Sequence, residues 1–134
     1  MPRIQRITSP KVPEPPPERW SNALRVGDVL YTAGFTSRAA DGKTIEGKGE
    51  YEQARICFLK IRHLVEAAGG TMADVVKLNI YVTDIDRNTE VWRARREFFS
   101  GDFPVSTLVE VSALATPEIL VEIEAVAHIG ASRG

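Results

Sequence analysis

The stretch Phe103-Pro-Val-Ser-Thr-Leu-Val-Glu-Val-Ser-Ala-Leu-Ala-Thr-Pro-Glu-Ile-Leu-Val-Glu-Ile-Glu-Ala-Val-Ala127 decides the fold. Strand side chains alternate between faces, so Val105, Thr107, Val109 and Val111 share one face and Ser106, Leu108, Glu110 and Ser112 the other. A second strand repeats the pattern, with Val121, Ile123, Ala125 and Ala127 against Glu122, Glu124, Val126 and His128. Thr116-Pro117 interrupts the ladder between them, because proline has no N–H to donate. The stretch therefore predicts a strand pair with an apolar core face and a second face carrying carboxylates and hydroxyls. That mixed face is where function is expected.

Working outward, the upstream half supplies the rest of a layered domain. Ile4 and Ile7 suit a short strand at a sheet edge. Residues 8–17 form a Pro-rich surface connection, since Pro10, Pro13, Pro15, Pro16 and Pro17 favour extended backbone without ladder donors. Ala23–Val26 and Val29–Gly34 flank Gly27-Asp28 and predict a hairpin. Residues 35–47 read as a loop. Ala54, Cys57, Phe58, Ile61, Leu64, Val65 and Ala68 recur at helical spacing, and Gly69-Gly70 stops the helix. Cys57 falls on that stripe, which predicts a buried, unreactive thiol. Thr71-x-x-Asp74 has the form of a capping box. A strand then places Val76, Leu78, Ile80 and Val82 on one face and Val75, Lys77, Asn79 and Tyr81 on the other. A second helix is expected over 88–100, with Val91, Trp92, Arg95, Phe98 and Phe99 on one side. Arg93, Arg95 and Arg96 give it a basic flank, read as a solvated face or as an anion-binding edge.

The resulting order predicts an α+β domain, residues 1–134, with two helices on one face of a mixed sheet. Hydrophobic residues make up 43% and charged residues 26% of the chain, which is globular usage. A formal charge of −1 gives no general attraction for nucleic acid. The lone cysteine excludes an intrachain disulfide, and the absence of a long apolar run predicts a cytoplasmic protein without a membrane span. His63 and His128 have no partner pattern for nucleophilic catalysis, and no Cys/His spacing suggests a metal site. Glu122 and Glu124, at i and i+2, stand about 6.6–6.8 Å apart, close enough to share acid/base work. The same alternation also describes an ordinary strand with its polar side outward.

Phe103-Pro104, Val109-Glu110-Val111 and Val121–Ala127 resemble the C-terminal signature of the RidA/YjgF family. That family is also known by the L-PSP endoribonuclease and reactive-intermediate deaminase names. Trp20-Ser21-Asn22-Ala23, Val26–Gly34, Val75–Asp84 and Phe98-Phe99 extend the likeness over roughly residues 19 to 129 in order. The resemblance implies a chorismate-mutase-like fold, a homotrimer around a central barrel, and small-molecule clefts between subunits. It also implies cofactor-free hydrolysis of 2-imino or 2-enamino acids to 2-keto acids and ammonia.

Carried over position by position, Glu122 matches the water-orienting glutamate and Gly34 the backbone position that meets the substrate carboxylate. Trp20 stands where a pocket tyrosine is usual, and Trp92 where a polar cleft residue is usual. Ser106 replaces the carboxylate-binding arginine of the Phe-Pro-x-Arg run. A hydroxyl in place of a bidentate ion pair removes about 1.5–3 kcal/mol of binding. The replacement implies an altered, aminomuconate-like or other substrate, and Arg93 and Arg96 of the second helix are the candidates to compensate for the missing charge. A non-catalytic small-molecule- or partner-binding trimer is the rival reading. An endoribonuclease or translation inhibitor ranks last, for want of a basic-aromatic surface or a histidine pair.

Overall fold

A computed structural model describes residues 3–134; Met1 and Pro2 lie outside it. Six strands form one mixed sheet: β1 (Ile4–Arg6), β2 (Ala23–Val26), β3 (Val29–Thr32), β4 (Val75–Val82), β5 (Val105–Glu110) and β6 (Val121–His128). Their order is β1-β2-β3-β6-β4-β5. Helices α1 (Glu50–Ala67) and α2 (Asn88–Arg95) pack on one face. The α+β architecture expected from the sequence is what forms.

The hairpin β2–β3 turns at Gly27, whose φ of 59° is the left-handed conformation that glycine adopts without a Cβ clash. β1 adds to its edge as an antiparallel strand. Helix α1 buries Ala54, Cys57, Phe58, Ile61, Leu64 and Val65 completely, against Leu30, Leu78, Ile80 and Ile123 from the sheet. Cys57 lies within this layer, donating weakly to the Phe35 carbonyl at 3.1 Å, and burial pushes its thiol up to about 12. It is an inert core group. The Thr71–Asp74 capping box forms as expected. Asp74 also accepts from the backbone N–H groups of Gly130 (3.0 Å) and Ser132 (2.9 Å), tying the C-terminus to this turn.

Four expectations are corrected. First, β5 and β6 are not a hairpin. β4 lies between them, parallel to β5 and antiparallel to β6, so the 111–120 connection crosses over rather than turning back. Second, the valine face of β5 is not core: Val105 and Val109 are exposed, while Leu108 packs inward. Opposite residues in a ladder share a face, and Ser106 and Leu108 sit opposite the buried Leu78 and Ile80. Third, a bulge between Val75 and Lys77 turns Val75 into the core and Val76 outward. Fourth, α2 ends at Arg95 rather than Ser100. The N–H groups of Glu97 and Phe98 bond three residues back, to Ala94 and Arg95, and this tighter turn swings Phe98 and Phe99 onto Phe58 (ring centroids 5.3 and 5.9 Å).

Candidate functional site

The sequence-nominated residues fall into two groups. The first is built where β3 leaves the sheet. Phe35 bridges Ile123 through reciprocal backbone hydrogen bonds, so Gly34 is drawn alongside the start of β6. A Cβ at Gly34 would lie 2.9 Å from Glu122 Cδ and closer still to Oε2. The Glu122 carboxyl occupies the space a side chain at position 34 would fill, so any larger residue there displaces it. Buried Gln53 of α1 fixes the run into β6: its amide donates to the Glu118 carbonyl (2.9 Å) and accepts from the Leu120 N–H (2.8 Å). Helix, loop and strand therefore jointly set the position of Glu122.

Glu122 is half-buried on the face of the sheet opposite the helices, beside Glu124. Burial raises its carboxyl above the usual carboxylate range, and the Glu124 charge adds to the rise. Glu124 is engaged elsewhere, accepting from the Tyr81 hydroxyl at 2.7 Å. The two carboxyl groups thus have different surroundings, which is how paired carboxylates acquire separate roles.

Gly34 also lines a cleft of about 500 Å³, together with Pro13, Trp20, Asn22, Arg38 and Lys60. The Pro-rich segment forms one wall of it. Val12 anchors that wall in the core and the Asn22 amide holds the Pro13 carbonyl at 2.9 Å. Trp20 is largely exposed at this cleft. Glu122 is not among the lining residues, so cleft and carboxylate meet at the Gly34 backbone. The cations of the cleft are already engaged: Lys60 Nζ donates to the Thr36 (2.8 Å) and Arg38 (2.7 Å) carbonyls, and Arg38 Nη1 donates to the Gly42 carbonyl (3.1 Å).

The second group lies on the other face of the sheet, at its β5 edge. Ser106 points to the helix side, where Arg95 of α2 donates from Nη1 to Ser106 Oγ at 2.9 Å. Trp92, part-exposed, precedes Arg95 by three residues and so shares its helix face. Burial lowers the Arg95 pKa somewhat, and neighbouring Arg96 contributes in the same direction. Of the two arginines that were candidates to compensate for Ser106, Arg93 is directed away: it pairs with Glu90 (3.1 Å) and stacks over the Tyr51 ring, 3.7 Å from its centroid. Arg96 makes no hydrogen bond to Ser106. The sequence had grouped Arg95 with the apolar side of the helix, and that placement is the reason it meets Ser106.

Glu122, packed against the Gly34 backbone, and Ser106, bonded to Arg95, thus occupy opposite faces of one chain's sheet. A single copy does not bring them together. Among the described residues no three His, Cys, Asp or Glu side chains gather as a metal site, and no helix is long and apolar enough to cross a membrane.

Comparison with known proteins agrees with this architecture. The Endoribonuclease L-PSP family matches residues 12–129. A RutC family protein of Pyrococcus horikoshii is 34% identical over 111 residues, covering 81% of this chain and 86% of that one. The crystal structure of a protein of unknown function from Pseudomonas aeruginosa superposes with a TM-score of 0.84 at 43% identity, covering 96% and 94% of the two chains. RidA from the Antarctic bacterium Psychrobacter sp. PAMC 21119 gives a TM-score of 0.84 at 30% identity, covering 93% and 99%. With the fold, the order of its elements and the family match in agreement, the chain belongs to the RidA/YjgF, or Endoribonuclease L-PSP, family.

Proposed function

We propose that the protein is a homotrimeric hydrolase that deaminates a reactive imine or enamine in clefts between its subunits. The reading rests on one observation above the others: the half-buried Glu122 carboxyl is packed against a glycine that leaves no room for a side chain. An ordinary solvent-facing strand glutamate needs no such accommodation. The trimer is supported by the open face of the sheet, where Ile4, Tyr31, Val105 and Val109 are exposed together. It is supported too by the separation of the two residue groups, which a neighbouring copy would bring into one cleft.

In the reaction, water adds to the imine carbon and the C=N electron pair passes to nitrogen, which takes up a proton. The resulting tetrahedral aminoalcohol then collapses to the keto group and expels ammonia. An enamine first gains a proton at carbon to become the imine. Glu122 as carboxylate orients the water and accepts its proton, and the raised pKa brings it closer to neutrality, where it also returns that proton to nitrogen. No step requires a bound cofactor.

A second reading is favoured by Ser106 alone. A neutral hydroxyl on β5 suits a non-catalytic small-molecule-binding trimer as well as an enzyme with an altered, aminomuconate-like substrate. Ammonia release from freshly generated 2-aminoacrylate and from bulkier 2-imino acids separates the readings. The expected result is wild-type turnover reduced roughly 100-fold or more in Glu122→Ala. Wild-type turnover that Glu122→Ala leaves intact, or no turnover on any of these substrates, overturns the proposed hydrolase.

A further inference from the structure

We propose that Arg95 is the anion-holding residue of the cleft, with Ser106 as its positioning residue, and that the ligand it selects is a small carboxylate. The proposal rests on the intersubunit cleft described above, but it concerns binding rather than turnover.

Three observations carry it. The first is that Arg95 lacks a counter-charge. Among the described residues the ion pairs engage Arg6, Arg25, Arg55, Arg87 and Arg93, and none engages Arg95. Among the described residues its Nε is buried without an acceptor, and one Nη1 bond to Ser106 is the only hydrogen bond its guanidinium makes. A partly buried guanidinium so poorly partnered is costly for a fold to keep, unless an anion completes it.

The second is that the group is held in place. A hydroxyl accepting at 2.9 Å fixes the plane of the guanidinium, and the remaining Nη protons have no acceptor among the described residues. A planar fork of this kind matches a carboxylate with two parallel hydrogen bonds, a geometry an ammonium cannot reproduce. Read this way, Ser106 orients a cation carried by the helix.

The third is the contrast with the other cations. Lys60 and Arg38 donate to backbone carbonyls, Arg93 is paired and stacked, Arg62 lies over the Phe98 ring, 5.7 Å from its centroid, and Arg96, also without a partner among the described residues, is exposed where Arg95 is partly buried. Trp92, one turn before Arg95, adds a flat apolar wall suited to a small organic acid rather than to a hydrated inorganic ion.

The test compares binding of 2-oxobutyrate with that of its neutral amide, 2-oxobutyramide, by calorimetry on the intact protein, alongside the ammonia assay. Wild type is expected to prefer the acid. Arg95→Ala should lose roughly 10- to 100-fold in affinity for the acid and little for the amide. Arg95→Lys should recover only part of that loss, and Ser106→Ala should weaken acid binding several-fold with the amide unmoved. Arg95→Gln, of similar length, with its thermal transition recorded, separates lost charge from lost folding. Equal wild-type affinity for acid and amide, or an Arg95→Gln protein that binds the acid normally, overturns the proposal. The two readings fail separately. Turnover accompanied by acid binding that is indifferent to Arg95 removes the anion site and leaves the hydrolase, whereas Arg95-dependent acid binding without turnover removes the hydrolase and leaves the anion site.

Discussion

Strands β5 and β6 carry the same alternation and meet opposite fates. On β6, Val121, Ile123, Ala125 and Ala127 enter the core and the glutamates face outward. On β5, Val105 and Val109 face outward, while Ser106 and Leu108 turn toward the helices. Alternation gives the period of a strand but not which face is buried. That is set by the neighbours. β6 lies between β3 and β4 beneath α1, whereas β5 is an edge strand that Arg95 reaches from the end of α2. The central strand offers a carboxylate on the open face, and the edge strand offers a hydroxyl to an arginine on the closed one.

The sharpest way to break this contrast is to truncate one apolar residue on each strand. Ile123, fully buried, should cost about 2–5 kcal/mol as Ile123→Ala, read as a lower urea midpoint at every protein concentration. Val109, 41% exposed, should leave the fold standing as Val109→Asp. On the proposed trimer its effect should instead be on assembly, with the mass by light scattering falling from three copies toward one. Equal unfolding penalties at the two positions would mean that the β5 valines are core after all.

A smaller effect is expected at Gly34. A methyl group there collides with the Glu122 carboxyl, which is the far end of a flexible side chain and can swing aside. Gly34→Ala should therefore keep its thermal transition within a few degrees and lose roughly tenfold in kcat/KM, the rate consequence of misplacing a catalytic group. A variant that loses stability instead of activity would make Gly34 a packing glycine.

Much of this arrangement was legible in the sequence because it is local. The α1 stripe ending in Gly69-Gly70, the Gly27 hairpin and the Thr71–Asp74 cap each depend on residues a few positions apart. Glu122 and Gly34 were nominated through their match to a family pattern, and their direct contact appears only in the fold. What stayed hidden is non-local. Inserting β4 between β5 and β6 requires knowing which strands pair, and reversing the β5 faces follows from that pairing. Arg95 was counted in the basic flank but not paired with Ser106, because its neighbours Val91, Phe98 and Phe99 made its side of the helix read as core. Sequence spacing does not say that Ser106 lies at the end of its reach. The second role of Asp74, holding residues 130 and 132, is hidden for the same reason.

The smallest effect expected is the most informative about the outward face of β6. Burial, then the Glu124 charge, lifts the Glu122 pKa, so the folded protein holds that proton to higher pH than the unfolded chain does. The associated stability is fully present below the unfolded carboxyl value and is lost as pH rises through the folded one. Glu124→Gln removes the charge and leaves the burial, while its amide oxygen still accepts from Tyr81. If Glu122 works as a carboxylate, the acid limb of the kcat/KM profile should move to lower pH in this variant, with the plateau changed less than tenfold. The same variant should lose less stability than wild type as pH rises through the Glu122 titration. An acid limb that stays in place would assign the titrating group to another residue. It would leave the outward glutamates of β6 with no task beyond facing solvent, no more specialised than the outward valines of β5.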